Sequence, residues 1–236
     1  MPKIAQQLDT VRQRIDAAAK KAGRRANDIQ LLAVSKTRPA EDLLDAIEAG
    51  QTRFGENYLQ EALNKITRIN ASANKIGNHP CEWHFIGPCQ SNKTAALAQH
   101  FDWVHTVDRL KIAQRLSDQR QQLDNSVPLN ICLQINTSQE SSKSGIDPEQ
   151  LETLAEAVKR LPNLNLRGLM TIPAASDDID QQRRPFRLLK QLFDQLNKKG
   201  YGLDTLSMGM SNDLEAAIME GATIVRVGTA IFGTRK

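Results

Sequence analysis

Near the N-terminus, Ile4, Leu8, Val11, Ile15 and Ala18 or Ala19 recur at three-to-four spacing and predict an amphipathic helix ending near Gly23. The pattern then changes to short apolar runs of strand length, at 29–34, 53–54, 83–86, 103–107, 129–135, 164–170, 205–208 and 223–227. Helical patterns fill the intervals, at 41–49, 59–69, 94–100, 110–123, 150–161, 185–198 and 214–220, several behind Pro, Asp or Ser as first-turn residues. Strand and helix alternating every roughly 25 to 30 residues is the rhythm of parallel β/α units, whose crossovers need that length.

Eight such units predict one closed (β/α)8 TIM barrel with an extra N-terminal helix, a single domain over 1–236. An open doubly wound sheet is the alternative, but it usually has fewer strands and a glycine-rich first turn. Here the first strand runs into Val34-Ser35-Lys36-Thr37 with no G-x-G-x-x-G behind it, which argues against a dinucleotide site. Polar stretches at 71–80 and 174–182 are the expected mobile surfaces.

Composition narrows the class further. At 40% hydrophobic and 25% charged residues the chain is expected to fold, and only 4% aromatic residues argues against a surface that works by base stacking. The net charge of +4 is spread in singles and pairs such as Arg24-Arg25, Arg183-Arg184 and Lys198-Lys199, which reads as a solvated surface and not as a nucleic-acid stripe. The polar start has no basic-then-apolar leader and no later run approaches a membrane span, so a cytoplasmic protein is expected. Cys81, Cys89 and Cys132 are odd in number and lack metal-ligand spacing, which predicts reduced thiols and no metal.

In a barrel of this kind the chemistry sits where strands end, so the last residue of each run and the loop behind it are the ones to read. Lys36 closes the first strand, Asn57 follows the second, His84 lies in the third, Met170 ends the sixth, and the seventh and eighth end in 207–211 and 226–229. An ammonium at the end of an apolar strand meets a low-dielectric mouth, which favours the neutral nucleophilic amine and Schiff-base chemistry. The plain alternative is a lysine that reaches solvent or pairs with Glu56. Gly209 and Gly228 permit close approach of backbone N–H groups to an anion, and Ser207, Ser211 and Thr229 add hydroxyls, although Ser211 also reads as a helix N-cap. A phosphate cradle across a barrel mouth from such a lysine suggests a phosphorylated aldehyde, of which pyridoxal 5'-phosphate is the common one.

Eight blocks carry a resemblance. Leu31-Leu-Ala-Val-Ser-Lys36-Thr37, Phe54-Gly-Glu-Asn-Tyr58, Trp83-His-Phe-Ile-Gly-Pro88, Gln90-Ser-Asn-Lys93, Ser142-Lys-Ser-Gly145, Arg167-Gly-Leu-Met170, Ser207-Met-Gly-Met-Ser211 and Arg226-Val-Gly-Thr-Ala-Ile-Phe-Gly233 span 31–233. In their order they resemble the pyridoxal-phosphate homeostasis protein family. Cys89, where that family more often has Leu, and Arg38, where Lys is common, depart from it without touching an assigned ligand. The resemblance implies a single-domain barrel of the alanine-racemase type that binds the cofactor as an internal aldimine without established turnover. It puts the aldimine on Lys36, the phosphate on Ser207, Gly228 and Thr229 with Ser211 close by, Arg226 opposite the pyridine nitrogen, and Asn57, His84 and Met170 along the ring. A permanent guanidinium charge beside the ring nitrogen disfavours its protonation and weakens the ring as an electron sink.

The expected role is therefore storage, carriage and delivery of the cofactor to apo forms of pyridoxal-phosphate enzymes. An amino-acid racemase is the alternative. Racemases of this barrel type add a β domain that gives a tyrosine to a partner's site, and 236 residues are expected to leave no room for one. A monomer is expected for the same reason. Tyr58 follows the second strand, whereas Tyr201 precedes the seventh, away from the mouth. A Schiff-base aldolase is a third reading, disfavoured by the strand-one lysine and by Arg226. Lys143, in the loop after the fifth strand, is a candidate for a transient second aldimine.

Overall fold

The computed structural model describes residues 3–72, 80–123, 127–138 and 144–234. Eight strands, β1 (Gln30–Val34), β2 (Arg53–Glu56), β3 (Glu82–Phe85), β4 (Trp103–Val107), β5 (Leu129–Gln134), β6 (Leu164–Met170), β7 (Thr205–Ser207) and β8 (Ile224–Val227), pair in sequence order into a closed barrel. Every neighbouring pair is parallel, and β1 closes on β8 with Leu32 opposite Arg226. The predicted barrel is present, and the open sheet is excluded by that closure.

Around the barrel run α1 (Lys3–Lys21), α2 (Ala40–Glu48), α3 (Leu59–Ala71), α4 (Thr94–His100), α5 (Leu110–Gln121), α6 (Leu151–Lys159), α7 (Ile179–Lys198), α8 (Leu214–Met219) and α9 (Thr229–Phe232). The large core lies between strands and helices, where outward strand residues such as Phe54, Phe85, Leu133 and Leu169 meet the apolar helix stripes. Inside the barrel the alternate residues form two small clusters, Leu32 with Ile86 and Ile224, and Trp103 with Cys132 and Met170. Polar side chains, among them His84, His105, Gln134, Ser207 and Arg226, share the interior with them.

The predicted first helix buries Ile4, Leu8, Val11, Ile15, Ala18 and Ala19. It packs on α8, α9 and α2, across the seam where β8 meets β1. Arg14 on its outer side donates to Glu215 at 2.8 Å and to the Ser211 carbonyl at 2.9 Å, which ties the helix to the loop after β7.

Two expectations need correction. The seventh helix starts at Ile179, six positions before the predicted 185, because Asp178 caps it by accepting from the Gln181 amide at 2.8 Å. Its first turn, Ile-Asp-Gln-Gln, holds a single, exposed apolar residue and so shows no apolar period, and Pro185 lies inside the helix instead of opening it. The helix thereby takes in 179–182 of the stretch 174–182, and the remainder makes local hydrogen bonds: Gln182 donates to the Ser176 carbonyl and the Ala174 amide donates to Ser138. The single turn α9 was hidden in Val-Gly-Thr-Ala-Ile-Phe-Gly, since four residues are too few to show a helical period. Of the other expected mobile stretch, 73–79 lies outside the described residues. Among the described residues no helix is long and apolar enough to cross a membrane.

Candidate functional site at the barrel mouth

β1 stops at Val34, and half-buried Lys36 stands in the turn behind it. The next residue, Thr37, has φ 63°, the one left-handed non-glycine among the described residues. A β-branched residue is strained there, so something must hold the turn. The Thr37 amide donates to Glu61 at 2.6 Å, and the buried Lys65 ammonium donates to the Ser35 carbonyl at 2.6 Å, Glu56 at 2.7 Å and Glu61 at 2.5 Å. The Ser35 hydroxyl donates to the same Glu56 oxygen at 2.6 Å. Burial pushes the Glu56 carboxyl above its ordinary range, and Lys65 pulls it back. Lys36 is thus flanked on both sides by residues anchored to one buried ion cluster.

Across the mouth, β8 carries Arg226 on its inward face at 3% exposure. Its Nη1 donates to Ser207 Oγ at 2.9 Å and its Nη2 to the Thr171 carbonyl at 2.8 Å. Among the described residues no carboxylate forms an ion pair with it. Burial lowers its pKa to about 10, with Asp213 and, after it, Cys132 acting in the opposite sense. A guanidinium this deep with neutral partners leaves a positive charge that no protein group at contact neutralises.

Next to it the chain forms a small polar lip. The carbonyl of Gly209 accepts from the Arg226 amide at 2.9 Å, which fastens the loop after β7 to β8. Gly209 has φ 92° and a Cβ there would lie 2.5 Å from Ala217, so only glycine fits. Gly228 precedes α9 and approaches β1 so closely that a Cβ would sit 3.0 Å from the Val34 carbonyl oxygen. Lys36 is two residues further along that same segment. Ser211 reaches the start of α9, its Oγ accepting from the Ala230 amide at 3.4 Å, and Thr229 is exposed beside it.

A cavity of about 420 Å³ opens on the β2 to β6 side of the mouth, with Asn57, Ile86, Thr106, Gln134 and Ile172 in its wall. The Asn57 Oδ1 is buried and has no hydrogen-bond partner among the described residues, an acceptor left for something else to satisfy. Met170 is fully buried at the end of β6, level with Gln134 and Ser207 and packed on Trp103 and Cys132.

The nine candidate residues therefore do not form one ring. Lys36, Gly228, Thr229 and Ser211 gather at the rim where β8 meets β1, with Arg226 inside them, while Asn57 lies at the cavity and Met170 at the level beneath. His84 is lower still, in register with Trp103, the first residue of β4, and stacked on that ring at 5.4 Å and 9°. Ser207 is fully buried, its hydroxyl held between Arg226 Nη1 and His105 Nδ1 at 2.9 and 2.8 Å. Lys143 lies outside the described residues.

Sequence reading overlooked Lys65, His105 and Thr171. Lys65 had a signal, a cation in the apolar stripe Ala62, Ile66 and Ile69 of α3. His105 had one too, since it alternates with Trp103 on β4 and so shares its inward face. Thr171, one residue beyond β6, had none.

The family model described as "Alanine racemase, N-terminal domain" matches residues 6–236. A Vibrio cholerae protein named pyridoxal phosphate homeostasis protein is 55% identical over 238 residues, which cover 100% of this chain and 98% of that one. PipY of Synechococcus elongatus, solved with PLP bound, superposes at a TM-score of 0.81 with 33% identity, over 98% of this chain and 100% of PipY. Alanine racemase of Clostridium difficile superposes at 0.72 with 16% identity over 100% of this chain and 60% of the racemase, which shows a shared fold.

Proposed function

This chain belongs to the alanine racemase N-terminal domain family, and from that premise we propose that it binds pyridoxal 5'-phosphate and serves cofactor homeostasis by storing, carrying and delivering it. The observation that carries the reading is Arg226, a buried guanidinium with only neutral partners, at the same mouth as half-buried Lys36. The residues present fit the group. Lys36 supplies an amine to condense with the aldehyde, releasing water; Gly228, Thr229 and Ser211 offer an amide and hydroxyls to the phosphate; and the unsatisfied Asn57 Oδ1 is an acceptor beside the ring. Arg226 would hold the ring nitrogen's side of the group, as the resemblance implies. Ser207, whose hydroxyl is engaged by Arg226 and His105, orients that guanidinium instead of reaching the phosphate. Met170 and His84 support the ring from below. The relatives' names and the cofactor described with PipY support the assignment.

The cofactor supplies an electron-withdrawing ring, and Arg226 limits that withdrawal by opposing protonation of the ring nitrogen. Racemisation also needs an acid/base group on each face of the substrate. Tyr58 is 52% exposed at the head of α3, and Tyr201 precedes β7, under the Lys159 ammonium at 4.7 Å. Neither stands opposite Lys36 in a closed pocket, which favours a carrier over the racemase. Tyr58, Leu110, Ile172 and Ile179 are exposed apolar side chains on the segments that follow β2, β4 and β6, all on the mouth face. Such a rim suits transient docking of apo forms of pyridoxal-phosphate enzymes by a cytoplasmic monomer. Added pyridoxal 5'-phosphate is expected to produce a visible Schiff-base band, and alanine in deuterium oxide to keep its α-proton. No band contradicts the binding, and rapid α-proton exchange replaces the carrier with the racemase.

A further inference from the structure

The interior of the barrel holds a line of polar side chains that the site at the mouth does not explain. It begins at Glu82, the first residue of β3, whose side chain is 38% exposed at the opposite end of the barrel and pairs with Arg53 at 3.3 Å. Glu82 Oε1 is 2.7 Å from His84 Nε2, His84 Nδ1 is 2.8 Å from His105 Nε2, and His105 Nδ1 is 2.8 Å from Ser207 Oγ. Arg226 Nη1 reaches the same hydroxyl at 2.9 Å. His84, His105 and Ser207 are each 0% exposed, so water cannot substitute for any of these contacts.

We propose that Glu82, His84 and His105 are positioning residues for Arg226, joined to it by a one-way chain of hydrogen bonds that ends on the Glu82 carboxylate. The direction follows from what each atom can do. An ionised carboxylate only accepts, so His84 carries its proton on Nε2. A neutral imidazole then presents a bare Nδ1, which must accept from His105 Nε2–H, and by the same logic His105 Nδ1 accepts from the Ser207 hydroxyl. The Ser207 oxygen is left to accept from Arg226. Every donor points from the guanidinium toward the carboxylate, an arrangement in which each bond polarises the next.

The charges around the line agree with that direction. Burial lowers the pKa of both imidazoles, His105 further than His84, because Glu82 and Asp102 favour a charge on His84 whereas His84 and Arg226 oppose one on His105. Arg53 on β2 opposes protonation of His84, and the Arg167–Asp204 pair at 2.6 Å closes the neighbouring side of the same barrel end. His84 holds Glu82 below the ordinary carboxyl range. The line of neutral groups gives the buried guanidinium a hydrogen-bond acceptor where no carboxylate is adjacent, and Asp213 acts on its charge only at a distance.

The consequence for a ligand rests on the proposed function, but the chain itself does not, so the first measurement uses the protein without ligand. Long-range nitrogen-15 NMR of the full chain is expected to show His84 and His105 with a proton on Nε2 and a bare Nδ1 at pH 7. Glu82→Leu is expected to shift the ring signals of His105 and the guanidinium signals of Arg226, neither of which touches Glu82, and Glu82→Gln, which keeps an acceptor oxygen, to restore them. A proton on Nδ1 of either ring, a doubly protonated ring at pH 7, or His105 signals unmoved by Glu82→Leu would overturn the proposal. Should Glu82→Leu fail to fold, the wild-type tautomers decide. In the second arm, pyridoxal 5'-phosphate binding is expected to weaken threefold to tenfold in Glu82→Leu and recover in Glu82→Gln. Equal affinity in all three overturns the positioning role, whereas no binding even to wild type counts against the cofactor reading and leaves the NMR result standing.

Discussion

Of the cations buried in this protein, Lys65 and Arg226 are treated oppositely. Lys65, at 4% exposure behind β1 and β2, touches two carboxylates and a backbone carbonyl, so its charge is answered inside the protein. Arg226, at 3% exposure under the mouth, touches a hydroxyl and a carbonyl. Burial at equal depth thus accompanies opposite roles. A self-neutralised cluster holds a strained turn in place and adds little attraction for a ligand, whereas a charge without a contact counter-ion is available to one. Lys36 lies between the two, its turn held by the first and its mouth polarised by the second.

The comparison breaks most visibly at Lys65. Lys65→Met leaves Glu56 buried without its cation and frees the Thr37 turn, and is expected to cost about 3–5 kcal/mol in urea unfolding, with or without pyridoxal 5'-phosphate. A wild-type midpoint would mean that the ion cluster does not hold the turn. Arg226→Met is expected to behave in the reverse way: about 1–2 kcal/mol of stability for the two lost donors, but at least a tenfold loss of affinity for the cofactor by titration. A stability loss larger than that of Lys65→Met would invert the contrast.

The smallest expected effect is on pH dependence. Because the folded state depresses the pKa of His84 and His105, it binds fewer protons than the unfolded chain below the ordinary value of 6.5, and stability is lost as pH falls through that window. Glu56 acts in the opposite sense, since its raised pKa gives stability below 4.5 that is lost as pH rises through the folded value. Asp102, also raised by burial, acts in the same sense as Glu56, and with two histidines against these two carboxyls the urea midpoint is expected to drop between pH 7 and 5.5 by an amount equivalent to about 1 kcal/mol. A flat profile would mean that the imidazoles accept protons inside the barrel.

Much of the fold was legible because parallel strands buried on both faces read as continuous apolar runs. β4 and β6 begin and end where the pattern puts them, and β2 was cut short at 54 because Gly55 and Glu56 do not look like strand residues. Glu56 is buried only because Lys65, nine residues away, neutralises it, and no local pattern records that pairing. The same limit applies at the site. Lys36, Asn57, Arg226 and Gly228 were singled out as candidates because a barrel concentrates chemistry at strand ends, a rule that needs the fold alone. That Ser207 belongs with Arg226 and His105, and His84 with Glu82, depends on which of two inward-facing levels each occupies, and so on the register of β3, β4, β7 and β8.

The decisive measurement is borohydride reduction of the protein loaded with pyridoxal 5'-phosphate, followed by peptide mapping, in wild type and in Lys36→Ala. The account predicts a reduced pyridoxyl label on Lys36 in wild type and none at that peptide, with no visible band, in the variant. Label that persists in Lys36→Ala, on Lys143 or any other lysine, would contradict the assignment of Lys36 as the amine that holds the cofactor.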